Sequence, residues 1–143
     1  MSYRYLDDAA NGDIAFEAVG ETLEELFICA VDALLNTMVE PVDSVLAVEQ
    51  RRVELKDDSL QMLLFNFLQE VILFKDSEQL LLRLRECHFL EEQGEYRVVA
   101  LLAGERRDPL RHRSGPDVKG LASPRFQLEK AESGWRAAVI LKV

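Results

Sequence analysis

Between residues 22 and 38, apolar side chains recur every three or four positions: Leu23, Leu26, Phe27, Ala30, Val31, Leu34 and Leu35. That period is the α-helical one and predicts a helix over about 22–38. Thr22 and Glu25 mark its start as a capping box, and Pro41 follows its end. A second apolar stretch, LQMLLFNFLQEVILF, predicts a helix over about 59–76 opened by Asp58 or Ser59. Only Asn66, Gln69, Glu70 and a few end residues interrupt it, so this helix is expected to be buried centrally. Elsewhere the pattern is that of strands. YRYL and DIAFEAV flank an acidic loop, and VLAVEQRRVEL is rich in strand-forming residues. LLLRLRECHFLEEQGEYRVVALLAG reads as a hairpin turning at Gln93 and Gly94. At the end of the chain two strands surround a turn near Ser133 and Gly134. In the last one Trp135, Ala137, Val139, Leu141 and Val143 alternate with Arg136, Ala138, Ile140 and Lys142. Residues 104–125 form a long polar segment, in which Pro109, Pro116 and Pro124 exclude a continuous helix or central strand. Clustered strands with two inserted helices predict an α+β fold: one two-layer domain over residues 1–143, with a mainly antiparallel or mixed sheet.

Composition narrows the reading. The 143 residues are 48% hydrophobic, enough for the core of one domain and too few for two comfortable ones. A net charge of −9 and an isoelectric point near 4.7 argue against nucleic-acid binding by the whole surface, while leaving room for a local basic patch. Asn66, Gln69 and Glu70 break the longest apolar run, so no segment is expected to span a membrane. The first residues lack the pattern of a secretory signal. Cys29 and Cys87 sit in apolar segments without zinc-site spacing, and are expected to be reduced, buried thiols of a cytoplasmic protein.

Three stretches hold candidate chemistry. In YRYLDDAANGDIAF, Asp7, Asp8 and Asp13 crowd around Asn11 and Gly12. Such a loop is either a solvated turn or part of a site for a hard cation, which needs several oxygen ligands. The second is the basic stretch within 104–125, where Arg106, Arg107, Arg111, Arg113, Lys119 and Arg125 face only Glu105, Asp108 and Asp117. That local excess suits RNA, phosphate or an acidic partner surface, but equally a solvated loop. No aromatic residue is interleaved before Phe126, which disfavours stacking on single-stranded RNA. The third is a scatter of single residues. His88 reads as a partly buried strand histidine and Trp135 as a core residue. The chain carries no G-x-S-x-G, P-loop or dinucleotide fingerprint, so no catalytic residue is assigned.

Four segments in order complete a resemblance. They are YRYLDDAANGDIAFEAVGETLEELF, LLFNFLQEVILFKDSE, RRDPLRHRSGPDVKGLASPRF and GWRAAVILKV. Together they resemble the archease family over nearly the whole chain. The second helix ends in Phe74-Lys75-Asp76, an Asp-Pro-x-x-His segment runs from Asp108 to His112, and Val118-Lys119-Gly120 stands where the family has Val-Lys-Ala. The resemblance implies a protein cofactor or chaperone, not an enzyme. Its partner would be the GTP-dependent RNA ligase of tRNA splicing, whose guanylylation and multiple turnover it promotes. RNA would be met only indirectly or weakly. Asp13, Lys142, Arg107, Arg111, His112 and Lys119 would be the contact residues, with His112 in a structural or contact role. The resemblance also implies calcium or another divalent cation between a loop acid and a C-terminal acid. Asp13 and the terminal carboxylate of Val143 would supply ligands, aided by Asp7 and Asp8. Here, however, Lys142 replaces the family's penultimate acid, and the His-Thr pair of the family loop is Ala10-Asn11. An ammonium offers no lone pair and repels a divalent ion, so weak or absent calcium binding is expected, with Lys142 as the cation for Asp13. The alternative function is a standalone RNA- or phosphate-binding domain using residues 104–125. A metal-dependent hydrolase would need more ligands than the chain displays.

Overall fold

The computed structural model describes residues 2–6, 12–113, 115–123 and 125–143. Both helices start at hydroxyl caps. Thr22 Oγ1 accepts the Glu25 amide at 3.1 Å, and Glu25 Oε1 accepts the Glu21 amide at 3.3 Å, opening α1 (Leu23–Met38). Ser59, not Asp58, caps α2 (Leu60–Glu78), its Oγ accepting the Met62 amide at 3.2 Å. α2 outruns its expected end by two residues and stops at Gln79, whose backbone turns left-handed with φ 56°.

The strands are β1 (Ser2–Leu6), β2 (Ile14–Gly20), β3 (Glu49–Asp57), β4 (Leu80–Glu92), β5 (Glu95–Arg106), β6 (Gly120–Leu121), β7 (Gln127–Ala131) and β8 (Gly134–Lys142). They form two sheets. The first has the order β1-β2-β8-β6, with β7 also paired to β8, and the second has the order β3-β5-β4. Every pairing is antiparallel. β8 is therefore the hub of the first sheet. Its Ala137, Val139 and Leu141 face the core opposite Ala18, Phe16 and Ile14 of β2, while Arg136 and Lys142 point outward. The long β4–β5 hairpin turns at Gln93 and Gly94 as expected, with a register shift between Leu84 and Glu86. Glu24 of α1 steadies that irregularity by accepting the Cys87 amide at 3.1 Å.

Both helices touch both sheets, so they lie between them. α1 packs on β2 and β8 on one side and on β4 on the other, and α2 packs on β3, β4 and β5 and on β6 and β7. α2 is buried where it meets the two sheets, as expected, but not on every side. No residue of α1 is exposed, because Cys29, Ala33, Thr37 and Met38 complete its apolar circumference. α2 instead shows water a stripe containing Met62, Gln69 and Leu73. The polar segment begins later than the expected residue 104, since β5 runs through Arg106, and it holds the short strand β6. Trp135 is half-buried with the Lys130 ammonium 5.8 Å from its ring, and His88 is exposed on β4, not partly buried. Cys29 and Cys87 are free and buried, and burial pushes their thiols up to about 11 and about 12. Among the described residues no helix is long and apolar enough to cross a membrane.

Candidate functional site

Three strand ends meet at one end of the first sheet. Ile14 pairs with Leu141, so Asp13, the residue just before β2, stands opposite Lys142. On the other side of β8, Gly120 pairs with Lys142 and the Lys119 amide donates to the Lys142 carbonyl at 2.7 Å. Asp13, Lys142 and Lys119 thus share one edge, with Val143 at the tip. Lys142 and Lys119 are exposed and Asp13 is half-buried. The ion pairs among the described residues do not include one between Asp13 and Lys142, so the structure gives them facing positions without a bond. Asp7 and Asp8 lie outside the described residues.

Beside Asp13 opens a cleft of about 370 Å³ lined by Tyr5, Leu6, Asp13, Ile14, Asn36, Thr37, Glu40 and Pro116. Its walls are held by the end of α1. The Tyr5 hydroxyl donates to the Ala33 carbonyl at 2.7 Å, and Asn36 Oδ1 accepts the Val42 amide at 3.0 Å. The Gly115 amide donates to the Met38 carbonyl at 2.7 Å, and the Glu40 amide donates to the Arg113 carbonyl at 3.4 Å. Gly115 is required by this close approach, because a Cβ there would sit 2.2 Å from the Thr37 carbonyl oxygen. Among the described residues neither Asp13 nor Glu40 is in an ion pair. The Asp13 and Glu40 carboxylates beside apolar walls disfavour a phosphate in this cleft. Tyr5, Asn36, Thr37 and Glu40 were not singled out in the sequence. Of these, only Glu40 had a local signal, its place between the end of the helix and Pro41.

The described residues do not by themselves make the calcium centre that the resemblance implies, and Asp7 and Asp8 lie outside them. Among the described residues no group of three or more His, Cys, Asp or Glu side chains converges, and the position facing Asp13 belongs to a lysine. Calcium takes six to eight oxygens, and a neighbouring ammonium opposes it.

Three arginines of the basic segment are tied to neighbouring groups of the protein. Arg106 pairs with Glu49 at 3.3 Å, and Arg107 stands 3.9 Å from Asp117 with its Nε unpartnered among the described residues. Arg111 reaches the Ser44 carbonyl at 2.9 Å and pairs closely with Glu105. His112 is 3% exposed, and its bonds run to Asp108 and Glu105. Its Nδ1 accepts the Asp108 amide at 2.9 Å, so in the neutral ring Nε2 carries the proton donated to Glu105 Oε2 at 3.1 Å. Glu105 Oε2 also accepts the Leu46 amide at 2.6 Å. Burial pushes the Glu105 carboxyl up, but Arg111, the Leu46 amide and His112 together bring it below its ordinary value. His112 and Arg111 therefore anchor the loop, and of the expected contact residues only Lys119, Lys142 and Asp13 gather at the sheet end.

The profile of the Archease protein family matches residues 3–143. The archease of Methanosarcina mazei is 34% identical over 142 residues, covering 99% of this chain and 95% of its own. That of Pyrococcus abyssi is 33% identical over 129 residues, 90% of each chain. Among solved structures, protein 1598 of Methanobacterium thermoautotrophicum superposes with a TM-score of 0.83 at 25% identity, covering 99% of this chain and 98% of that one. An archease of Thermotoga maritima, described as a possible chaperone, shares the fold at a TM-score of 0.63 and 17% identity, over 98% of this chain and 99% of that one.

Proposed function

Because this chain belongs to the archease family, we propose that it acts as an activator of a GTP-dependent tRNA-splicing RNA ligase, promoting ligase guanylylation and multiple turnover. It works on an enzyme and has no reaction of its own. The observation that supports this reading is the convergence of Asp13, Lys142 and Lys119 at one sheet end, beside a cleft with free carboxylates. An exposed edge with both charge signs and a shaped recess is suited to docking a folded protein. Binding of RNA through residues 104–125 is disfavoured, since Arg106, Arg107 and Arg111 already face carboxylates. Action in the cytoplasm is supported by the two free, buried thiols.

The test is ligase guanylylation and turnover with and without this protein, using the ligase of the same organism. Both should rise, and Asp13→Ala should lose most of the rise while its melting curve stays near that of the unmodified protein, because a half-exposed strand-end acid contributes little to stability. Ligase kinetics unchanged at saturating amounts of the protein would reject the assignment.

A further inference from the structure

Lys75, in the last turns of α2, is 2% exposed and is the one buried lysine or arginine among the described residues. Its ammonium spends all three protons inside the protein. One goes to Asp76, one to Asp117 Oδ1 at 2.9 Å and one to the Val118 carbonyl at 2.9 Å. Burial of an ion-pair cluster is weak evidence of net stability, since such pairs seldom outweigh their desolvation, but removing the ammonium alone leaves the Val118 carbonyl without its donor. What the ammonium adds is direction. The Val118 carbonyl that it holds belongs to the same peptide unit as the Lys119 amide, which donates to Lys142. That unit is pinned at both ends, by α2 and by β8. The strand it enters, β6, has only two residues and would hold its place poorly by pairing alone.

We propose that Lys75 is a positioning residue for the docking end of the first sheet: by pinning the Val118–Lys119 peptide it sets where the Lys119 side chain leaves the backbone, beside Lys142. The role of Lys119 in docking rests on the reading above, whereas the pinning does not.

The experiment uses the full chain with Lys75→Met, which keeps the length and apolar stem. Amide hydrogen exchange followed by NMR should quicken about tenfold or more at Lys119 and at Ala122, whose amides bond to Lys142 and Ile140, and stay unchanged in the β2–β8 pairing. The concentration of this protein giving half-maximal ligase guanylylation should rise about tenfold. Adding Lys119→Ala to Lys75→Met should raise it no further. Should Lys75→Met fail to fold, Asp117→Asn, at a half-exposed partner, decides by the same measurements with a smaller change in the same direction. Unchanged exchange at Lys119, or additive effects of the two lysine substitutions, would overturn the proposal. If the unmodified protein does not stimulate the ligase, the functional reading fails and the exchange result alone decides for or against the pinning.

Discussion

Glu105 serves three donors from one buried carboxylate: Arg111, the Leu46 amide and His112. It joins the turn at 108–112 and the loop before β3 to the end of β5. Because its folded carboxyl lies below the ordinary value, its stabilisation is fully present above the unfolded pKa, about 4.3, and is lost as the pH falls through the lower folded value. Glu105→Gln puts an amide N–H₂ where an acceptor is needed, and at pH 7 should cost about 1–3 kcal/mol in urea unfolding. The gap between the two proteins should narrow below about pH 4. A gap independent of pH would show that packing, not charge, accounts for it. His112 stood out in the sequence because it closes an Asp-Pro-x-x-His motif, but its partner did not. An acid near the end of an apolar strand reads as solvent-facing, since carboxylates are rarely buried unless paired. Only the folded loop shows the pairing.

Helix positions were legible because their signals are local: a hydroxyl cap, an apolar period, a proline beyond the end. Thr22→Ala removes one such signal and should lower stability by about 1 kcal/mol, read from the denaturant midpoint. Helix depth was less legible. Period alone told that α1 has an apolar stripe, whereas Cys29, Ala33 and Thr37 on its other sides are small residues that admit a second sheet. Conversely Met62 and Leu73 gave α2 an apolar look on a side that faces water. Arg113 and Gly115 were legible only as parts of a polar segment, yet both lie against the end of α1, with no room for a methyl group at Gly115. Gly115→Ala should lift the loop off the Thr37 carbonyl, cost about 1–3 kcal/mol and lower the melting temperature. An unchanged melting temperature would mean that the loop yields freely.

At the scale of the molecule, alternation in the last strand announced its buried face, but not that it joins β2 on one side and β6 and β7 on the other. Alternation fixes which side is inward and is silent on the neighbour. The neighbour is what sets Lys142 opposite Asp13, and it leads to a prediction about metal. Lys142→Asp changes the local charge by two units beside Asp13, and should create a calcium-dependent rise in melting temperature that the unmodified protein lacks. Tight calcium binding by the unmodified protein in calorimetry would show that other oxygens complete a site. The hub position of β8 also has a kinetic side. The β4–β5 hairpin closes over a short stretch of chain, but the β2–β8 pairing joins residue 14 to residue 141, so the two sheets are expected to mature at different times. Until β8 arrives, β2 presents an open edge to any free strand in solution, including β8 of a second molecule. Refolding from denaturant should therefore lose yield to strand exchange as protein concentration rises, with the first sheet, rather than the hairpin, as the part that is shared.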